Sequence, residues 1–361
     1  MTGPPHDRTD RTYAARVSRH GAVSAALARL GDRELGRLLA AAPATGSGVG
    51  GGTASLVVAG VPVFAKRIPL TDLEREPAHA RSTANLFGVP AACHYGVARW
   101  AGPGFSAWRE LAATTMTTDW VLAGRSEAFP LLHHWRVLPG APPPPAEHAD
   151  PDRVAAYWDG SPAVRRRLES LARASAGVVL FLEHLPHTLQ DWLATQLAAG
   201  PDAVTAACTM VERRLRTDIA AMNAGGLLHF DAHFRNILTD GHRLYLADLG
   251  LALSPRFDLS ADERAFTAGH RNYDAAYASR ELANWIVAAA TAPTAGPVER
   301  FAAVRRCAAG QLPADVPPPI AAILARHAPV ATVLNDFFWD LYGGSRSTPY
   351  PARRLERELR R

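Results

Sequence analysis

The run His229-Phe230-Asp231-Ala232-His233-Phe234-Arg235-Asn236 is followed, twelve residues past Asn236, by Asp248-Leu249-Gly250-Leu251-Ala252. Far upstream, Val63-Phe64-Ala65 leads into Lys66, the only lysine in a chain whose 39 Lys and Arg are otherwise all arginine. An ammonium is a compact point charge on a thin stem, whereas a guanidinium is a broad planar fork. A site that threads one charge past a strand face onto a polyphosphate needs the former. Phosphoryl transfer from ATP asks for four groups: a carboxylate to orient and deprotonate the attacking hydroxyl, an amide oxygen and a second carboxylate to hold Mg²⁺, and a cation on the phosphate tail. Asp231, Asn236, Asp248 and Lys66 supply those types, with Asn236 and Asp248 as the metal ligands. A turn and strand between Asn236 and Asp248 would fold the second carboxylate back beside the first.

The spacing His-x-Asp-x-x-x-x-Asn, then Asp-Leu-Gly-Leu-Ala, resembles the catalytic loop and magnesium-binding segment of the protein-kinase-like superfamily, and Val-Phe-Ala-Lys resembles its strand lysine. The likeness spans approximately residues 46 to 253. It implies an α+β, bilobal fold, with a small antiparallel-sheet lobe over residues 41–182 and a helical lobe over 183–361. An N-terminal extension over 1–40 and excursions at about 67–104 and 139–176 depart from it. It further implies that Gly46, Gly48 and Gly51, fitting Gly-x-Gly-x-x-Gly, lie over the phosphates, with Gly48, Gly50 and Gly52 as the alternative register. Glu110 is implied as the helix partner of Lys66, in preference to Glu74 and Glu76. Leu182 would border the adenine, and Glu183 would offer backbone to it.

Some features fit the family unevenly. Phe230 stands where many regulated protein kinases carry an arginine that reads a phosphorylated loop, so no such switch is expected. His-x-Asp-x-His-x-x-Asn is similar to small-molecule phosphotransferases of the aminoglycoside and choline type, and Ala-Pro-Glu is missing after Ala252. Asp-Leu-Gly-Leu-Ala looks more like a protein kinase. The expected activity is transfer of the γ-phosphate of Mg-ATP to a Ser or Thr hydroxyl of a protein. A small-molecule acceptor and a nucleotide-binding pseudokinase are the alternatives. His229 reads as a structural brace, and His233 as a loop cap or a phosphate contact.

The elements that must position these groups follow from periodicity. A helical pattern runs from about residue 20 through Leu39, after a loose polar start. Thr53–Val58 and Val61–Ile68 alternate as two strands joined at Gly60. Trp108–Leu122 reads as a helix and Phe129–Leu138 as a strand. Pro139–Pro151 is a proline-rich break before an arginine-rich helix, and Val178–Leu182 is a continuous apolar run suited to a buried strand. From Leu189 the pattern is mainly helical, interrupted by two short strands around the turn at Asp240-Gly241.

Composition excludes several classes. A net charge of +5 and 48% hydrophobic residues suit a globular chain of 361 residues. The arginine clusters lack aromatic interleaving or a nucleic-acid motif, so no nucleic-acid partner is expected. Three scattered cysteines form neither metal-ligand spacing nor a disulfide framework, and the longest apolar stretch is too short for a bilayer. Those features lead to the expectation of a soluble protein in a reducing cytoplasm.

Overall fold

The structure is a computed structural model that describes residues 12–48, 51–96, 100–290 and 295–361. The chain is α+β. It opens with α1 (Tyr13–Ala28) and α2 (Asp32–Ala41), then β1 (Ala44–Gly48), β2 (Gly51–Val58) and β3 (Val61–Leu70). Next come α3 (Asp72–Arg75), α4 (Ala107–Leu122), β4 (Leu132–Pro139), α5 (Pro151–Tyr157), α6 (Pro162–Ala172) and β5 (Ala176–Glu183). The remainder runs β6 (His187–Thr188), α7 (Leu189–Ala199), α8 (Pro201–Ala224), β7 (Ile237–Thr239), β8 (Leu244–Leu246), α9 (Ala261–Gly269), α10 (Tyr273–Ala290), α11 (Pro297–Ala308), α12 (Pro318–Gly343) and α13 (Ala352–Leu359). The first five strands form one antiparallel sheet in the order β1-β2-β3-β5-β4, and β6-β7-β8 form a second.

Period-two alternation decides which face of the first sheet each residue serves. Val63 and Ala65 of β3, with Val179 and Phe181 of β5, pack under Val23, Leu27 and Leu35 of α1 and α2. On the opposite face Ile68, Val178 and Leu180 pack against Trp108 and Leu111 of α4. Helices therefore cover both faces, which is why β5 carries an unbroken apolar run. Lys66 shares the parity of Ile68 and so emerges on the α4 face. The β2–β3 link is the two-residue turn Ala59-Gly60, with φ of 51° and 77°, the twist that tight hairpins require.

Two expectations are corrected here. The loose start ends at Tyr13 rather than near residue 20, because Thr12 caps α1 and the helix buries one polar anchor. Arg16 places Nη2 2.6 Å from Glu183 Oε2 and Nε 2.8 Å from Oε1, with only 4% and 16% of the two side chains exposed. Second, β3 continues to Leu70, so the first excursion begins at Thr71. Truncating one partner of a buried pair strands the other charge, so Arg16→Ala should destabilise the fold by about 3 kcal/mol. The denaturant midpoint checks this.

The larger core lies among α8, α10 and α12, where Leu215, Ile219, Leu282, Ile286, Leu334 and Phe338 are buried together. Tyr95 of the first excursion belongs to the same core, because the segment crosses to the helical part of the chain. Among the described residues no helix is long and apolar enough to cross a membrane, and all three cysteines are buried thiols.

Candidate active site

Lys66 reaches across from β3 to two carboxylates. Its Nζ lies 2.6 Å from Glu110 Oε1 on α4 and 2.8 Å from Asp248 Oδ1. Glu110 comes into range because Ser106 caps the helix just before it and the apolar face of α4 docks on the sheet beside Lys66. Glu74 serves elsewhere: its Oε2 accepts from Arg167 Nη1 at 2.8 Å. Burial works against the Lys66 charge, yet Asp248 and Glu110 outweigh it and raise its pKa. Burial also drives Glu110 up, to about 7, with Asp248 adding to the rise and Lys66 opposing it. Burial opposes the Asp248 charge too, but Lys66 holds its pKa below the usual value.

The loop that carries Asp231 is held from beneath by Asp274 of α10. That buried carboxylate accepts from the amides of His229 and Phe230, both at 2.9 Å, and from Asn223 Nδ2 at 2.8 Å. His229 sits within hydrogen-bond distance of Ala247 O at 3.0 Å, tying the loop to the strand that delivers Asp248. Phe230 takes a left-handed conformation with φ 65° and packs its ring 4.8 Å from Tyr273 and 5.3 Å from His94. An apolar ring fills the space, so the phenylalanine at this position belongs to the core. Asp248 is also left-handed, at φ 60°, a conformation short acidic side chains tolerate.

Asn236 donates Nδ2 to the Asp231 backbone carbonyl and to Asp231 Oδ2, both at 3.0 Å. Asp231 Oδ1 is buried and lacks a hydrogen-bond partner among the described residues. Burial, with the charges of Asp248 and Glu281 added, lifts the Asp231 pKa to about 8. A carboxyl poised near neutrality is suited to exchanging a proton. His233 uses Nδ1 to accept from the amides of Arg235 and Asn236 at 3.2 Å, which is a capping role. Its Nε2 stands 3.8 Å from Asp231 Oδ1.

A cavity of about 520 Å³ opens beside these groups. Its lining includes Phe64, Lys66, Leu182, Leu185, Asn236 and Asp248, a mainly apolar chamber with charges at one end, as small-ligand sites are. Leu182 is on the wall. Glu183 also borders the cavity; its amide donates to Leu131 O at 2.8 Å and its carboxylate accepts from Arg16. The end of β5 is pinned there, and His184 and Leu185 are the next wall residues. Gly46 and Gly48 lie in β1 and Gly51 in β2, where Gly48 faces Gly51 across the ladder; Gly50 falls outside the described residues. Thr53 and Ser55, further along β2, line the cavity.

Four contributors were not apparent from spacing: Arg16, Gly96, Asp274 and Glu281. Asp274 did leave a signal, a lone carboxylate between Tyr273 and Tyr277 with only alanines beside it, the pattern of a buried acceptor. No family model matches the chain, and no curated protein does.

Proposed function

We propose that this protein is an ATP-dependent phosphotransferase with a bilobal, protein-kinase-like arrangement, moving the γ-phosphate of Mg-ATP to a hydroxyl acceptor. The observation that carries the reading is the meeting of Lys66, Glu110, Asn236 and Asp248 at one end of a 520 Å³ cavity, with Asp231 held by Asn236. Those residues come from positions up to 182 apart in sequence, so chance proximity is a poor account of them. The five-stranded sheet with α4 forms one wall, and the loop and β7–β8 form the other.

The donor set fits magnesium. Asn236 commits Nδ2 to Asp231, leaving its Oδ1 without a bond among the described residues. The Asp248 side chain is 41% exposed and open to the cavity. Among the described residues no group of three or more His, Cys, Asp or Glu could hold a metal. Two protein oxygens completed by phosphate and water are what magnesium takes in nucleotide sites. When bound, the ion would neutralise charge on the phosphates. Lys66 then counters the phosphate tail, Glu110 keeps Lys66 in place, and the Asp231 carboxylate accepts the hydroxyl proton.

The test is equilibrium binding of ATP with and without Mg²⁺, followed by release of ADP on adding acceptors. Absence of magnesium-dependent ATP binding would sink the proposal. Lys66→Arg should lower kcat/KM by at least about tenfold despite conserving charge, because a planar fork cannot occupy a slot shared by two carboxylates. Steady-state kinetics against ATP would show it.

A further inference from the structure

A second cavity, of about 370 Å³, is bordered by Asp231 and shares Glu110, Asn236 and Asp248 with the first. The chain's two excursions build it. The first contributes Gly96 and the stretch from Ala101 to Phe105, and the second contributes Glu147 and then Arg167 and Leu171 of α6.

The roof is pinned in place. The His94 ring is stacked at 3.7 Å on Phe105, and its Nδ1 is 2.9 Å from Leu251 O. Tyr95 Oη meets His270 Nε2 at 2.5 Å. Trp158 Nε1 donates to Trp100 O at 3.1 Å, and His148 Nε2 lies 3.0 Å from Ala101 O. The backbone at Gly96 comes so close to Asp231 that a Cβ there would run into the carboxylate. An extended peptide laid across Asp231 would have to displace this segment. A molecule small enough to enter the cavity would not, and it would meet the Asp231 side chain on the cavity wall.

Charge narrows the class. Asp231, Asp248, Glu110 and Glu147 all border the cavity. Lys66 offsets one charge of the Glu110–Asp248 pair and burial lifts Asp231 and Glu110, so Asp248 and Glu147 leave the wall net negative. The guanidinium of Arg167 is held at 2.8 Å by Glu74, so it offers little net charge to a ligand. An anionic acceptor would be repelled.

The geometry points to a small hydroxyl-bearing acceptor without net negative charge, taken whole into the cavity between the two excursions, in place of a Ser or Thr of a polypeptide. This rests on the phosphotransferase reading and names its acceptor. In the transfer the bond from the γ-phosphorus to the β,γ-bridging oxygen breaks and a bond to the acceptor oxygen forms. The hydroxyl proton passes to the Asp231 carboxylate, and ADP leaves.

The experiment supplies the full chain with Mg-ATP labelled in the γ-phosphate and, separately, inositol, glucosamine, ethanolamine, serine or casein. ADP release and the labelled species are both read. We expect at least one of the four small molecules to raise ADP release about tenfold or more and to carry the label. Leu171→Trp, which fills the cavity away from the ATP chamber, should remove that stimulation while leaving ATP affinity within about twofold. Glu147→Ala, at the half-exposed rim, should raise the acceptor KM several-fold at similar kcat, and serves if the tryptophan variant fails to fold. Label found only on casein or on the enzyme itself overturns the inference. So does the absence of stimulation by all four small molecules, or stimulation indifferent to both variants. None of these touches the phosphotransferase reading, which falls only if Mg-ATP does not bind.

Discussion

Asp231→Asn is expected to cut turnover by at least about a hundredfold while leaving ATP affinity nearly unchanged. The amide has the shape of the carboxylate and can still accept from Asn236 Nδ2, 3.0 Å away, but it cannot take a proton from an attacking hydroxyl. The same substitution should raise thermal stability. Burial and the neighbouring charges lift the Asp231 pKa from 3.8 to about 8 in the fold, so the folded protein holds this proton more tightly than the unfolded chain. Stability from this group is therefore present at low pH and lost as pH rises through that window. The variant escapes the loss. Its melting temperature should match the parent near pH 4 and exceed it by several degrees, roughly, at pH 8. Differential scanning calorimetry across pH decides this. A variant that melts lower at pH 8 would show that Asp231 ionises without strain.

Asp248→Asn should lower magnesium-dependent ATP affinity by about a hundredfold, equivalent to about 2.7 kcal/mol. Asparagine is the informative replacement because Asp248 holds φ 60°, which asparagine tolerates and alanine adopts with strain. The variant keeps an oxygen but loses the anion that both pairs with Lys66 at 2.8 Å and stands open to the cavity. Lys66 is then left to Glu110 alone. With the Asp248 charge gone, Glu110 loses one of the two influences that lift it to about 7, and it should ionise at lower pH. Titration calorimetry with ATP, with and without Mg²⁺, separates the metal contribution from the rest. Equal affinity in both conditions for the parent protein would contradict the assignment of Asp248.

Glu110 shows how far a sequence reading can reach. Its helix was legible from apolar spacing, and its pairing with Lys66 follows once α4 docks on the strand face that the parity of Ile68 identifies. Glu183 shows where such a reading stops. Its position at the end of a buried strand was legible, yet its amide and side chain are held by Leu131 and Arg16. Arg16 is 167 residues away, and no local pattern announces such a partner.

Local sequence determined the strands, the helix carrying Glu110, the two-residue turn after β2, and the spacing that sets Asp231, Asn236 and Asp248 on one loop and hairpin. These depend on periodicity, capping and turn chemistry, which act over a few residues. Only the tertiary structure decided that Asp274 would brace the loop, that Gly96 would lie against Asp231, and that two excursions would wall a second cavity. Those outcomes come from long-range packing, where burial and unmet hydrogen bonds select partners without regard to their separation along the chain.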